Sequence, residues 1–342
     1  MSAAASVSMD YRPKIIAEFS TLRDLAATET AGHFKARSYT AAIKALQAMP
    51  HPLTKPDDLP ASTKGDGLGP KIREKIVRIL TEGSLPISET ARARSTALAA
   101  FQNIYGVGPK KAADLVAAGY TTIAELRAAV AADPKLLNRN QQTGLRYYEP
   151  LLTRIPRVEM DAHATLLMAN KPTALEGVIV GSYRRGRPDS GDIDMLLRVP
   201  TPDADAPAAL EDFVMRLVAA GYILEVLAQG DHKCLAIAAL PGAGNTPRRL
   251  DLLVTPPAEF PFAVYYFTGS DTFNVAVRAH AQTLGFTLNE HALTHVASGR
   301  TVSGIRSEKE LFSVLGLAWV EPPDRTGPEA VVVRTKGKGK KE

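Results

Sequence analysis

The pattern of apolar and polar positions changes character near residue 155. Before it, residues from about 11 to 90 and from about 91 to 155 read as two Ala-rich helical blocks. A Pro-rich break from Pro50 to Pro60 interrupts the first block. Gly106, Gly108, Pro109 and Gly119 punctuate the second, which ends near Ile155-Pro156. The segment from Lys71 to Leu80 shows the helical period most plainly. Ile72, Ile76, Ile79 and Leu80 form one stripe, while Lys71, Lys75 and Arg78 lie on another face. Beyond residue 155, strand-like runs take over. Leu175 to Val180 is apolar and β-branched and leads into a Gly-rich turn, and Met195 to Val199 and Leu250 to Val254 are also strand-like. A helix from about Ala208 to Ala220, opened by Pro207, separates the first two strands from a hairpin-like pair. The C-terminal third is mixed α/β. The tail from Val331 ends in Lys-Gly repeats and is expected to be disordered.

Length and composition narrow the class. The 342 residues suffice for two or three domains, and 45% apolar with 23% charged residues is ordinary for a globular chain. No run approaches the ~20 apolar residues of a membrane span, so no membrane partner is expected. Residues 1–10 are small and polar, without the apolar core of a secretory signal. No Arg precedes Arg12, which gives a transit peptide little support. The single cysteine, Cys234, excludes an internal disulfide and reads as a buried small hydrophobe. A nuclear or cytoplasmic location is expected, a mitochondrial one is left open and a secreted one is not expected. The net charge of +5 is mostly tail, because the last nine residues supply +4 of it. Charge must therefore argue through its placement.

Two carboxylates are placed tellingly. Gly181-Ser182-Tyr183-Arg184-Arg185-Gly186 follows an apolar strand, then comes Gly191-Asp192-Ile193-Asp194 and the apolar Met195-Leu196-Leu197. If Asp192 to Leu197 is a strand, Asp192 and Asp194 share a face and repel unless cations lie between them. Asp251 puts a third acid amid apolar residues of another strand, where a lone carboxylate is costly. A shared two-metal site answers both costs and suits phosphoryl transfer, with Asp251 as general base or as a ligand that helps deprotonation. Gly181 and Ser182 lie where backbone N–H groups can approach phosphate, and Arg185 can neutralise a triphosphate. An isolated Asp-x-Asp is more often a pair of surface acids. Here the preceding Gly-Ser and the strand-borne Asp251 make the signal compound.

Gly65-Asp66-Gly67-Leu68-Gly69-Pro70-Lys71 and Tyr105-Gly106-Val107-Gly108-Pro109-Lys110 share Gly-apolar-Gly-Pro-Lys, and each opens onto a helix. They fit helix-hairpin-helix motifs, in which Gly67, Gly69, Gly106 and Gly108 let backbone approach a DNA phosphate and the helix N-terminus favours the anion. Such contacts, with Lys110 beside them, position a duplex without reading its sequence. One copy alone would serve equally as a plain turn between helices. On the helix after the first hairpin, a lysine crowded by other cations loses its proton more readily and becomes a nucleophile, and Lys75 is the candidate. The bland alternative is a solvated basic face that binds phosphate.

With the segment Tyr266-Phe267-Thr268-Gly269-Ser270-Asp271-Thr272-Phe273-Asn274 added, these residues resemble the family X DNA polymerases, those of the polymerase beta type, from about residue 11 to 325. Arg278-Ala279-His280-Ala281 and Gly285-Phe286-Thr287-Leu288-Asn289-Glu290 continue the likeness. The resemblance implies that Asp192, Asp194 and Asp251 bind two Mg²⁺ ions. It implies that Arg154, Ser182, Arg185 and Gly191 contact the triphosphate of a deoxynucleotide. Tyr266, Phe267 and Gly269 would line the sugar and disfavour a 2′-hydroxyl, while Asp271 and Asn274 would meet the base. Arg278 would contact the template, and Glu290 would help position it on closure. Lys75 would be the Schiff-base lysine of a 5′-deoxyribose-phosphate lyase, with Lys35, Tyr39 and Lys71 holding the 5′ phosphate. Carbonyls of Thr63, Gly65 and Leu68, and of Gln102, Ile104 and Val107, would hold a monovalent cation, Na⁺ or K⁺, at each hairpin.

The chain departs from that pattern in places. Val275 stands where a lysine is usual, Leu253 where an arginine toggles during closure, and His291 where an aromatic residue lies beside Glu290. Ser84 and Ile87 replace lysines of the lyase site, and Phe34 replaces a histidine.

The expected fold is α+β and multidomain. Residues 1–10 would be a disordered N-terminus and 11–90 an all-α helix-hairpin-helix lyase domain. A helical DNA-binding subdomain of the fingers type would span 91–155, and a nucleotidyltransferase-type β-sheet palm 156–264. A small mixed α/β nucleotide-selection subdomain would cover 265–330, and 331–342 a basic tail. The expected function is gap filling in base excision repair on gapped or nicked double-stranded DNA, by a monomer. The alternatives are an end-joining or template-independent transferase, against which stand the lack of room for an N-terminal BRCT domain and of a long insertion near residues 225 to 250, and a non-catalytic DNA-binding scaffold.

Overall fold

A computed structural model describes residues 9–29, 32–63, 65–242 and 244–334. The disorder expected of residues 1–10 and 331–342 lies outside that range for 1–8 and 335–342, but Asp10 accepts the Arg12 and Leu53 N–H groups and Val333 bridges to Leu317, so Asp10 and residues 331–334 are ordered. The chain is α+β and forms two compact units, Met1–Tyr148 and Glu149–Glu342.

The first unit is helical, with two apolar cores. One is built by α1 (Arg12–Ala27), α2 (His33–Ala48) and α3 (Pro70–Glu82), with Ile15, Phe19, Leu46, Leu68, Ile76 and Ile79 at its centre. The stripe read from the sequence is buried as expected at Ile72, Ile76 and Ile79, while Lys75 is half-buried on the flank of that stripe. The other core is built by α4 (Glu89–Gln102), α5 (Pro109–Ala117), α6 (Ile123–Ala132) and α7 (Arg139–Arg146), around Leu98, Phe101, Leu115 and Leu145. Helix starts differ in kind. Ser88, Thr122 and Asn138 cap α4, α6 and α7 with their side chains. In contrast, α3 and α5 begin after Gly69 and Gly108 with Pro in the first turn and no side-chain cap. Their first N–H groups are left for water or a ligand.

The second unit begins with α8 (Tyr148–Leu152), β1 (Ile155–Pro156) and α9 (Arg157–Asn170). Then come β2 (Glu176–Ile179), α10 (Gly181–Arg184), β3 (Asp189–Ser190) and β4 (Ile193–Arg198), α11 (Ala206–Ala219), β5 (Ile223–Gln229), β6 (Lys233–Ala238) and β7 (Arg248–Thr255). Five strands form one sheet in the order β2-β4-β7-β6-β5, with β4 and β7 parallel and the other pairs antiparallel. The crossover from β4 through α11 buries one face of the sheet under α9 and α11, around Met195, Leu197, Phe213, Leu217 and Leu252. The opposite face meets α12 (Phe260–Thr268) through Leu196, Ala263 and Val264.

Beyond α12, α13 (Asp271–Thr283), the hairpin of β8 (Phe286–Leu288) and β9 (Leu293–His295), and α14 (Glu308–Val314) enclose a separate core with Phe273, Phe312 and Leu311. Arg325 is fully buried inside it, 5.0 Å from the Trp319 ring centre and 5.4 Å from that of Phe312. Such a charge requires a partner, and Glu308 supplies it at 2.7 Å. Glu308 also takes Arg184 at 2.6 Å, and Arg184 donates to the Thr268 hydroxyl. This chain of contacts ties α10 to α12 and α14.

Local details differ from the sequence reading. The Gly-rich turn after β2 is a helical turn, α10. The helix expected from about Ala208 starts at Ala206, because the Asp205 carboxylate accepts from the Ala208 N–H and so caps it earlier. The first unit ends at Tyr148, where the sequence suggests Ile155-Pro156. Ile155 is fully buried in the sheet core, and Arg248 donates to the Thr153 carbonyl at 2.7 Å while pairing with Glu159. These contacts fasten residues 150–155 to the second unit.

Candidate active site

The parallel pairing of β4 and β7 sets Asp194 directly beside Asp251 in register. Asp192 immediately precedes β4. The strand alternation proposed from the sequence therefore applies to Asp194, while Asp192 sits at the strand's entrance. Burial and like charge dominate the electrostatics. Burial, then Asp192 and Asp251, push the Asp194 carboxyl up to about 7. Burial raises Asp192 as well, with Arg249 opposing.

Two cations that sequence reasoning missed lie among these acids. Arg249 reaches Asp251 at 3.1 Å and Asp192 at 3.6 Å, and Lys233 reaches Asp251 at 3.3 Å. Arg249 had a local signal, since it stands two residues before Asp251 on the same strand face. Lys233 had none, because only the antiparallel register of β6 on β7 brings it near. Among the described residues no three acidic, His or Cys side chains close into a ready ligand set. The donor set itself fits a hard divalent cation. Asp194 and Asp251 are register partners on adjacent strands, Asp192 lies two residues before Asp194, and their carboxylate oxygens are the donors such a cation takes.

A cavity of about 620 Å³ opens beside the acids. Arg154, Ser182, Arg185 and Gly191 line one part of it together with Asp192 and Asp194. Tyr266, Phe267, Gly269, Asp271, Asn274 and Arg278 line the rest. All the positions named from the sequence for triphosphate, sugar and base thus face one space. Gly181 has φ +64°, and a Cβ there would lie 2.7 Å from the Asp194 carboxylate, so only glycine lets α10 start against that acid. Arg185 is held by the Thr268 carbonyl, and its Nε is buried without a partner. Ser182 donates to the Ser190 hydroxyl at 2.8 Å. The Asn274 amide donates to the Tyr266 carbonyl at 2.7 Å, which fixes the end of α12 against α13.

Glu290 lies elsewhere, on a neighbouring cavity of about 520 Å³ with Leu253, His232 and His291. His291 contacts the Glu259 carboxylate at 2.7 Å and approaches Glu290 at 3.9 Å. His291 thus gives this loop a hydrogen-bonding partner near the start of α12.

In the first unit, a cavity of about 990 Å³ gathers Lys35, Tyr39, Gly67, Gly69, Lys71 and Lys75. Glu29, which the sequence did not suggest, lines it too and pairs with Lys35 at 2.7 Å. That pairing raises the proton affinity of Lys35. Gly106, Gly108 and the exposed Lys110 mark the second hairpin and the start of α5. Some carbonyls named for monovalent ions already carry donors. Leu68 O accepts from Arg73 Nε at 2.8 Å, Thr63 O from Asp66 N, and Ile104 O from Val107 N. At the first hairpin a guanidinium nitrogen thus already uses one of the three carbonyls named for the cation. Gly65, Gln102 and Val107 lie on the same two turns.

Comparison with known proteins matches four successive segments of the chain. A helix-hairpin-helix domain model matches residues 10–85, and the fingers domain of DNA polymerase lambda matches 99–152. The DNA polymerase beta palm matches 154–257 and the DNA polymerase beta thumb 263–326. The chain belongs to the family X DNA polymerases. It is 30% identical over 311 residues to DNA polymerase lambda of Rattus norvegicus, a match covering 85% of this chain and 52% of that protein. With DNA polymerase lambda of Arabidopsis thaliana it shares 31% over 315 residues, covering 84% and 57%. The DNA polymerase type-X family protein pol4 of Schizosaccharomyces pombe is 24% identical over 312 residues, covering 85% and 60%. The chain therefore spans between half and two thirds of the length of these relatives. Among the described residues no helix is long and apolar enough to cross a membrane.

Proposed function

We propose that this chain is a DNA-directed DNA polymerase that fills short gaps during base excision repair, and that its helical N-terminal unit is a 5′-deoxyribose-phosphate lyase. The observation that carries the polymerase reading is the single cavity in which Ser182, Arg185 and Arg154 meet Tyr266, Phe267 and Asn274 beside Asp192 and Asp194. In this reading Asp192, Asp194 and Asp251 hold two Mg²⁺ ions, whose chemistry is to acidify a primer 3′-hydroxyl and to neutralise charge on the triphosphate. Arg185, Ser182 and Arg154 bind and orient that triphosphate. Tyr266, Phe267 and the backbone at Gly269 close the sugar pocket against a 2′-hydroxyl. Asn274 and Asp271 face the base, Arg278 the template, and Glu290 acts on closure. The enzyme works as a monomer on gapped or nicked duplex, in a nuclear or cytoplasmic setting.

The test is extension of a primer across a one-nucleotide gap bearing a 5′ phosphate, with Mg²⁺. Asp251→Ala should lower the rate about a thousandfold, the scale of several kcal/mol of charge stabilisation. Extension at the wild-type rate would refute the assignment.

For the lyase, half-buried Lys75 faces the same cavity as Lys35, Tyr39 and Lys71. Unprotonated Lys75 Nζ adds to the sugar aldehyde and water leaves to give an imine; loss of a C2′ proton then breaks the C3′–O bond and releases the DNA strand with a 5′-phosphate end, and water hydrolyses the remaining imine to free Lys75. Borohydride trapping on a cleaved abasic site should disappear in Lys75→Ala. Undiminished trapping would move the nucleophile elsewhere. The Lys71 and hairpin positions Gly67, Gly69, Gly106, Gly108 and Lys110 serve as backbone contacts to the duplex. A monovalent cation, Na⁺ or K⁺, fits the second hairpin better than the first, where Arg73 already supplies the charge.

A further inference from the structure

Arg154 lines the nucleotide cavity, yet what holds it lies outside that cavity. Its Nε and Nη2 donate to one oxygen of Asp189 at 3.0 Å and 2.6 Å, and Nη2 also approaches the Asp189 carbonyl at 3.3 Å. The remaining nitrogen, Nη1, lies 3.1 Å from where a Cβ on Gly191 would stand. Gly191 lines the cavity and Asp189 does not. One edge of the guanidinium is therefore pinned from behind, and the free nitrogen faces the space beside Asp192.

The backbone makes this pairing unavoidable. Arg154 directly precedes β1, and Pro156 pairs with Asp189 across the β1–β3 ladder. The next residue of β3 does the same service for a second cavity group, because buried Ser190 accepts the hydroxyl of Ser182. β3 is thus a two-residue brace behind the Arg154–Ser182 end of the cavity.

We propose that Asp189 is a positioning residue for nucleotide binding: it orients Arg154 so that Nη1 is presented to a phosphate oxygen of the incoming nucleoside triphosphate. This rests on the phosphate-binding reading of that cavity. Two opposed effects compete. Asp189 adds a negative charge near an anionic ligand, which weakens binding through space. It also removes the rotamer freedom that Arg154 would otherwise lose on binding, which strengthens it. Both side chains are about half exposed, at 58% and 43%, so solvent screens the charge while the hydrogen-bonded geometry persists. Orientation wins, by an amount suited to an exposed pair.

The experiment measures KM for a deoxynucleoside triphosphate and kcat on one-nucleotide-gapped duplex, with competition by inorganic tripolyphosphate. Arg154→Ala should raise KM about tenfold or more. Asp189→Ala should raise KM and the tripolyphosphate inhibition constant together, about three- to fivefold, with kcat within about twofold. Asp189→Asn keeps an oxygen acceptor and should recover most of the loss. In the Arg154→Ala background, Asp189→Ala should change nothing further. A fall in KM in Asp189→Ala would mean that charge outweighs orientation and would overturn the proposal. The same rise with and without Arg154 would overturn it too. If Arg154→Ala leaves KM unchanged, the phosphate-binding reading of the cavity fails first, which separates that failure from one in which only the Asp189 variants are silent.

Discussion

The two hairpins of the first unit share a sequence motif and are held in place by different forces. In the first, the Asp66 carboxylate accepts the N–H groups of Thr63 and Leu68 at 3.0 Å and 2.7 Å and pairs with Arg73 at 2.8 Å. Arg73 also donates to the carbonyls of Leu68 and Pro60. In the second, Tyr105 stands at the place of Asp66 and fully buried Ala112 at the place of Arg73. Support comes instead from α7. Gln141 donates to the Gly106 carbonyl at 3.0 Å, and a Cβ on Gly144 would lie 2.4 Å from the Tyr105 carbonyl oxygen. The first turn is fastened by the charge network of Asp66 and Arg73 in addition to its approach to α2 at Gly67, and the second, with no such network, by contact with α7. The same Gly-apolar-Gly-Pro-Lys string therefore specifies the shape of the turn and leaves its fastening to its surroundings.

If that contrast is right, the largest effect belongs to the packed hairpin. Gly144→Val must drive α7 off Tyr105, and overpacking against backbone should lower stability by about 3 kcal/mol. Urea unfolding would read the loss. Amide exchange should rise around Gly106 to Gly108 while residues 65–69 keep their protection. Equal loosening of both turns would break the contrast. Gly67→Ala comes next. Gly67 sits at φ +76°, and a Cβ there would stand 2.9 Å from the Ala41 carbonyl on α2, so about 2 kcal/mol is expected, seen as lost protection at the first turn only. Gln141→Ala removes the bond to the Gly106 carbonyl and also the bond its Oε1 accepts from the Asn138 N–H at the start of α7, and should cost about 1–2 kcal/mol. A loss below the error of the unfolding measurement would mean that packing against Tyr105 alone holds that turn.

The same division between motif and surroundings explains what could be read without coordinates. Asp192, Asp194 and Asp251 were legible because strand alternation and the cost of a buried acid are local facts. The helix stripe through Ile72, Ile76 and Ile79 was legible for the same reason. Arg249 was within reach of that logic, since alternation puts it on the face of Asp251 two residues away, but its second contact, to Asp192, depends on the pairing of β4 with β7. Lys233, Asp189 and Glu29 were out of reach. Lys233 meets Asp251 only through the register of β6 on β7, and Asp189 meets Arg154 across 35 residues through a two-residue ladder. Arg325 could not be foreseen as a core residue, because nothing near it in the chain shows that Glu308 waits inside the same core. The grip of Arg248 on Thr153, which fastens residues 150–155 to the sheet, was out of reach too, since it spans 95 residues.

The smallest predicted effect is also the most selective, and it uses acid. The folded state holds the Asp66 carboxyl down at about 2, first through the Thr63 and Leu68 N–H groups and then through Arg73, against an ordinary value of 3.8. A depressed folded value means that the unfolded chain takes up the proton first. The stabilisation from Asp66 is therefore complete above about pH 4 and is lost as pH falls from 3.8 through 2. The second turn has no acid in that position, so its protection should not follow Asp66. Other acids of the first unit titrate in the same region: Asp10 is held down to about 2 by Arg12, Asp58 is lowered by Thr54, and Glu125 by Thr121. Absolute stability in acid would mix all of them. The useful quantity is the ratio of amide protection between residues 65–69 and 106–108, each corrected for intrinsic exchange, at pH 5 and again near pH 3. That ratio should fall on acidification in the wild type and stay flat in Asp66→Asn, which already lacks the carboxylate at both values. A wild-type ratio that holds constant would mean that the Arg73 and backbone contacts keep the turn closed when Asp66 is neutral, and the charge-held and packing-held hairpins would then be fastened alike.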